Sequence, residues 1–139
     1  MDAVKVAREN VEAFSAGDWE RYKAGLAPDS VYEELGTQRR VKGPQEITKA
    51  VQTWKKAFPD AKGKVKSAVA SGDRVTLEIT WEGTQTGPLE GPEGTIPASG
   101  KRAVVEAVQV MRVSNDKIKE NRHFFDMLSL LRQIGAAPK

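Results

Sequence analysis

The 139-residue sequence contains no cysteine and a single histidine, His123. Disulfides and thiolate catalysis are thereby excluded, and a zinc site is disfavoured because such sites usually recruit several His or Cys ligands. Only all-oxygen cation binding stays open. An excess of one charge is also missing: 22 Lys and Arg face 19 Asp and Glu, for a net charge of +3. The basic residues alternate with acids and apolar residues, so no nucleic-acid partner is expected. No apolar run approaches the roughly 18 residues of a membrane span, and the charges in Met1 to Asn10 leave no room for a signal-peptide core. These absences predict a soluble cytoplasmic protein with no membrane partner.

What is present reads as one domain, residues 1–139, long enough to bury a core and a ligand cavity. Val4, Ala7, Val11 and Phe14 recur at steps of three and four and predict an amphipathic helix that ends at Gly17. Asp18 caps a second, short helix with Trp19, Tyr22 and Leu26 on one face, stopped by Pro28. Val31 to Leu35 reads as a short strand, and Arg39 and Arg40 as a solvated turn. Pro44 then opens a third helix whose stripe is Ile47, Val51, Trp54 and Phe58.

After Asp60 the period falls from about 3.6 to 2. Val65 to Ala70 and Arg74 to Gln85 form a predicted hairpin around Gly72-Asp73, with Val75, Leu77, Ile79 and Trp81 on one face. Seven Gly and Pro residues make Thr86 to Gly100 a long loop of the kind that covers sites. Arg102 to Val113 and Ile118 to Phe125 are strands joined by Asn115-Asp116, and a terminal helix runs from Met127 to the stop at Gly135. Helices followed by a meander of strands give an α+β domain: a cone-shaped, curved antiparallel sheet packed on three N-terminal helices, with a short C-terminal helix.

Gly17-Asp18-Trp19, Ala27-Pro28-Asp29, Gly43, Phe58-Pro59-Asp60, Gly83 to Pro88, Ile96-Pro97, Gly100-Lys101 and Phe125-Asp126 with Leu130 to Gly135 share an order and spacing with one group of proteins. In these motifs the chain resembles the SnoaL-like polyketide or ester cyclases of the nuclear transport factor 2-like superfamily, a cystatin-like roll. The resemblance implies a cofactor-independent cyclase, an isomerase or lyase that closes a ring in a bound hydrophobic substrate by aldol chemistry. It places the acid/base at Asp126, with burial among Phe124, Phe125 and Met127 expected to raise the carboxyl pKa. One departure stands out: similar sequences read Gly-Thr-His-Thr-Gly-Pro where this chain has Gln85, which can donate a hydrogen bond but cannot shuttle protons.

Two readings of Asp126 follow, since an aspartate directly before an apolar-periodic helix is also a natural N-cap. His123, three residues earlier, falls on the opposite face of a regular strand and is expected on the sheet surface or at a subunit interface, with a site role possible. Gln85, Gln109, Tyr32, Trp54, Trp81 and Met111 are the expected substrate-binding residues. Gln109 is the inward member of the Glu106/Gln109 pair, because it is in phase with Met111. The outer face, with Thr76, Thr80, Val108 and Val110, predicts a homodimer. A non-catalytic binding or assembly domain of the same fold is the second reading, because fold alone does not assign function.

Overall fold

The computed structural model describes residues 2–91 and 94–138. Helix α1 (Ala3–Ala16) starts where Asp2 accepts a hydrogen bond from the Lys5 amide and ends at Gly17, whose φ of 68° lies in the left-handed region that glycine tolerates. It buries Ala7, Val11 and Phe14, as the sequence period predicts, and also Asn10. Asp18 caps the short helix α2 (Trp19–Ala24) through the Arg21 amide. Helix α3 (Pro44–Ala57) opens on Pro44, where a missing N–H is no loss, and buries Ile47 and Val51.

The main sheet holds six strands: β1 (Leu26–Glu34), β2 (Arg39–Lys42), β3 (Lys62–Ser71), β4 (Arg74–Thr84), β7 (Arg102–Ser114) and β8 (Lys117–Phe125). A two-residue-period strand pair, β5 (Leu89–Gly91) and β6 (Gly94–Ile96), forms a separate small sheet inside the expected long loop. The order in the main sheet is β2-β1-β8-β7-β4-β3, and every neighbouring pair is antiparallel except β1 with β8. Helix α4 (Met127–Gln133) closes the fold against β7. The α+β class with a curved, mostly antiparallel sheet is as the sequence implies.

Three local expectations are corrected. Leu26 belongs to β1 and not to the second helix, since α2 stops at Ala24. β1 therefore starts five residues before Val31, and its pairing with β8 shifts register between Leu26 and Val31. That irregularity accommodates Pro28, which has no amide proton to give a ladder. Arg39 and Arg40 lie in β2, paired with Glu34 and Glu33 of β1, and not in a solvated turn.

Alternation sets the two faces of the sheet. Val75, Leu77 and Ile79 are fully buried on the face covered by α1 and α3, and Ala103, Ala107, Gln109, Met111 and Val113 continue that face on β7. On the outer face Thr76, Thr80, Val108 and Val110 are half-buried, flanked by ion pairs such as Lys66–Glu106. No helix among the described residues is long and apolar enough to cross a membrane.

Candidate active site

The sheet and helices enclose a cavity of about 110 Å³. Its walls are mostly apolar: Phe14, Val51, Trp54, Phe58, Trp81, Val105, Phe125 and Leu130 contribute from α1, α3, the sheet and α4. Among the described lining residues Glu82 is the exposed one, its carboxylate paired with Arg102.

His123 lies inside this cavity, only 9% exposed, which corrects the expected surface position. Strand alternation explains both placements: Asn121, His123 and Phe125 share the inward face of β8, so Asp126 falls beyond the strand. Both imidazole nitrogens are engaged. Trp81 Nε1 lies 3.2 Å from Nε2, and the Tyr32 hydroxyl lies 3.0 Å from Nδ1. An indole nitrogen only donates, so Nε2 carries the lone pair and the ring proton sits on Nδ1. Nδ1–H then donates to Tyr32, whose own O–H donates to Glu34 Oε2 at 2.6 Å. The chain of donors runs in one direction: Trp81, His123, Tyr32, Glu34.

Glu34 ends that chain with 0% exposure. Its Oε2 also accepts from Trp54 Nε1 at 2.9 Å and Arg39 Nη2 at 3.3 Å, while Oε1 accepts from the Thr37 hydroxyl at 2.6 Å. Burial raises the carboxyl pKa, but the Arg39 charge and the hydrogen bonds from Thr37, Tyr32 and Trp54 outweigh it and leave the pKa below the ordinary value. Tyr32 is pushed the other way, well above its usual value, by burial and by the neighbouring carboxylate. Glu34 is thus a fixed negative charge beneath a tyrosine that stays protonated.

Burial pushes the His123 pKa down from 6.5 to about 4, against the opposing pull of Glu34. The ring is neutral at neutral pH, so its Nε2 lone pair is present there. Between pH 6.5 and about 4 the unfolded chain holds a proton at His123 that the folded chain does not. Stability therefore rises with pH across this window and is lost on acidification, by about 3 kcal/mol in total. Urea denaturation from pH 7 to 4 is expected to show that decline, and His123→Gln to flatten the part between pH 6.5 and about 4.5. An unchanged slope in the variant would rule out His123 as its source.

The indole of Trp81 is held in place from two sides. Phe14 meets it edge-on with ring centroids 5.2 Å apart, and Gly63 of β3 leaves the space it occupies. A Cβ at Gly63 would stand 2.6 Å from the Trp81 ring.

Tyr32, Trp54, Trp81 and Gln109 line the cavity as expected. Met111 is buried in the core and is not one of its lining residues. Gln85 is fully buried but faces the loop: its Nε2 donates to Pro97 O at 3.2 Å and its Oε1 accepts from the Ser99 amide. It staples residues 96–99 and does not line the cavity. The described residues of the loop from Thr86 to Gly100, read as a lid, do not line the cavity either; its Pro92 and Glu93 lie outside the described residues.

Asp126 is exposed and caps α4, accepting a hydrogen bond from the Ser129 amide at 3.2 Å. The expected burial among Phe124, Phe125 and Met127 is corrected: the chain turns into the helix there, and the carboxylate follows the free amides of the first turn. Glu34 was not among the sequence candidates. Its signal was the period of two in Tyr32 and Glu34, which puts both on one face of β1.

Three further polar atoms in the cavity wall are buried without a hydrogen-bond partner: Asn10 Nδ2, Gln109 Oε1 and Asn121 Oδ1. An unsatisfied buried group of this kind costs about 1–3 kcal/mol.

This combination, an apolar chamber with one neutral imidazole backed by a buried carboxylate, suits proton transfer on an uncharged ligand. The SnoaL-like polyketide cyclase family model matches residues 4–134. The chain belongs to that family. Among similar SnoaL-like proteins are the aklanonic acid methyl ester cyclases DauD of Streptomyces sp. strain C5 and DnrD of Streptomyces peucetius. Each is 26% identical over 95% of this chain, covering 81% of DauD and 90% of DnrD. Solved structures share the fold of this SnoaL-like chain. A Catenulispora acidiphila protein with a ketosteroid isomerase-like fold superposes with a TM-score of 0.80 at 17% identity, covering 96% of this chain and 93% of its own. TsrD from Streptomyces laurentii gives 0.80 at 24% identity, over 95% and 93%.

Proposed function

We propose that this SnoaL-like chain is a cofactor-independent cyclase acting on a neutral, largely apolar carbonyl compound, with His123 as its acid/base. The observation that carries this reading is the His123 Nε2 lone pair inside the apolar cavity, with Tyr32 and Glu34 lined up behind the other ring nitrogen.

The steps balance without any external reagent. Nε2 takes a proton from carbon next to a substrate carbonyl, displacing the 3.2 Å contact with Trp81. Nδ1–H keeps its bond to Tyr32, and the Glu34 carboxylate stabilises the imidazolium that forms. The enolate carbon attacks a second carbonyl of the same molecule, and Nε2–H returns its proton to the new alkoxide. An aldol ring closure of this kind is an isomerisation: the C–H proton ends on the new hydroxyl. The freed Trp81 N–H serves as the donor to the enolate oxygen in this reading. Apolar walls hold an extended substrate folded, which lowers the entropic part of the barrier.

The compound named for DauD and DnrD, aklanonic acid methyl ester, is the first substrate to test. Incubation with the protein in deuterated buffer is expected to give ring closure, or deuterium next to a carbonyl, by mass spectrometry. Absence of both across a panel of neutral polyketide esters would count against acid/base chemistry and favour the binding-domain reading.

Asp126 enters this reading as a cap. Asp126→Ala is expected to lower stability by about 1 kcal/mol in urea denaturation and to leave turnover within about two-fold. Loss of turnover without loss of stability would return the acid/base role to Asp126. The reading includes a homodimer joined through the outer face around Thr76, Thr80, Val108 and Val110, and a monomer mass in light scattering at high concentration would remove it.

A further inference from the structure

The cavity has more hydrogen-bonding capacity than the proton-transfer chain uses, and the surplus is carried by Asn10, Gln109 and Asn121. Asn121 precedes His123 by two residues on the same strand face, about 7 Å along a strand of about 3.3 Å per residue and on the side away from Phe125. It pairs in register with Tyr32 on β1 and Met111 on β7. Gln109 is the cross-strand partner of His123 and thus the diagonal neighbour of Asn121. From the helical side, Asn10 of α1 and Tyr22 of α2 line the same chamber. Asn10 stands close enough to Tyr22 for its amide to oppose the rise that burial imposes on the phenol, but its Nδ2 makes no hydrogen bond.

Asn10, Gln109 and Asn121 are 7%, 4% and 4% exposed, and each leaves one amide atom unpartnered. None carries a charge. The ionised groups nearby are already committed: Arg39 to Glu34 and to the Ala50 carbonyl, Lys55 to the carbonyls of Ser15 and Ala61. Among the described lining residues the one ionised group is Glu82, whose exposed carboxylate is paired with Arg102. A carboxylate, phosphate or ammonium would find no counter-charge here and would lose its hydration. A neutral hydroxyl, which donates once and accepts through its lone pairs, would meet Asn10 Nδ2 and one of the two orphan oxygens, Gln109 Oε1 or Asn121 Oδ1.

We infer that Asn10, Asn121 and Gln109, with Tyr22, form a second subsite beside His123 that holds a neutral hydroxyl of the ligand, such as a phenol or enol, other than the group that reacts at Nε2. This rests on the reading of the cavity as the reaction chamber. The subsite sets which way round the substrate lies, and it selects hydroxylated neutral ligands over both bare hydrocarbons and acids.

The test uses three matched probes: 4-ethylphenol, ethylbenzene and 4-ethylbenzoate, with dissociation constants measured by calorimetry at pH 7. The expected order is 4-ethylphenol about ten-fold tighter than ethylbenzene, with 4-ethylbenzoate weakest. On adding 4-ethylphenol, the side-chain amide resonances of Asn10 and Asn121 are expected to shift in nitrogen–proton NMR spectra of the native protein. Asn10→Leu and Asn121→Leu, confirmed folded by their melting curves, are each expected to bring the phenol-to-ethylbenzene ratio close to one. Equal or weaker binding of the phenol by the native protein would mean that water alone satisfies the amides, and it overturns the subsite. So does a ratio that survives both substitutions, since the hydroxyl is then held at His123 and Tyr32, where the proposed function stands untouched. Failure of all three probes to bind overturns the chamber reading and the subsite together. The native-protein comparison needs no variant, so it decides the matter even if neither leucine variant folds.

Discussion

His123→Gln is expected to lower the rate of ring closure, or of deuterium incorporation next to the carbonyl, by about 10²–10⁴-fold. Glutamine can keep the two contacts of the ring, accepting from Trp81 and donating to Tyr32, but it has no lone pair basic enough to take a carbon-bound proton. The loss should therefore appear in kcat with substrate affinity nearly unchanged. The native enzyme should show a matching pH profile. Because burial holds the His123 pKa down to about 4, kcat/KM is expected to stay flat from about pH 8 to about 5 and to fall below that as Nε2 becomes protonated. A profile that breaks near the ordinary histidine value would show that the ring is not in the environment described. A glutamine variant with full activity would remove His123 from the mechanism altogether.

Glu34→Gln is expected to be the most destabilising conservative substitution in the protein, by about 3–5 kcal/mol in urea or thermal denaturation. Both carboxylate oxygens are acceptors: Oε2 takes bonds from Tyr32, Trp54 and Arg39, and Oε1 lies 2.6 Å from the Thr37 hydroxyl and 3.2 Å from Arg39. Whichever way a glutamine amide is turned, its N–H₂ faces donors, and the guanidinium of Arg39 loses its counter-charge. With the N–H₂ on the Oε2 side Tyr32 loses its acceptor, and in either orientation the carboxylate charge behind the imidazole is gone, so activity should fall along with stability. A loss below about 1 kcal/mol would mean that these donors find water instead, and that the carboxylate is not the anchor of the network.

The fold was legible because its signals are local and periodic. The change from steps of three and four to steps of two after Asp60 separates α3 from β3 and β4, and the Asp18 cap and the Pro44 start fall where side-chain chemistry puts them. What escaped the sequence was non-local. Nothing in Arg39 to Lys42 announces a strand until Glu33 and Glu34 are seen across from Arg40 and Arg39. The parallel neighbours β1 and β8 come from opposite ends of the chain, so no turn residue marks their pairing.

The site was legible in part, for the same reason. Gln109 follows from its phase with Met111, and Tyr32, Trp54 and Trp81 point inward as read. Alternation also separated His123 from Asp126, but it does not say which of two opposite faces is the inner one. That is settled by Asn121 and Phe125, which share the face of His123 and line the cavity with it. Glu34 was hidden by its charge: a carboxylate on a strand reads as solvent-facing unless its partners, which come from β1, β2, α3 and the turn between the first two, are known.

The Tyr32–His123 hydrogen bond joins residues 91 positions apart. A growing chain makes Tyr32 and Glu34 early, and the strand that carries His123 only near its end. Until β8 docks between β1 and β7, the edge of β1 has no neighbour on that side, and the far end of its relay does not exist. Long-range pairings of this kind are slow to form, because the intervening loop must close before any contact rewards it. Under the proposed function, the groups that act together meet only where β8 closes on β1, across 91 positions of chain.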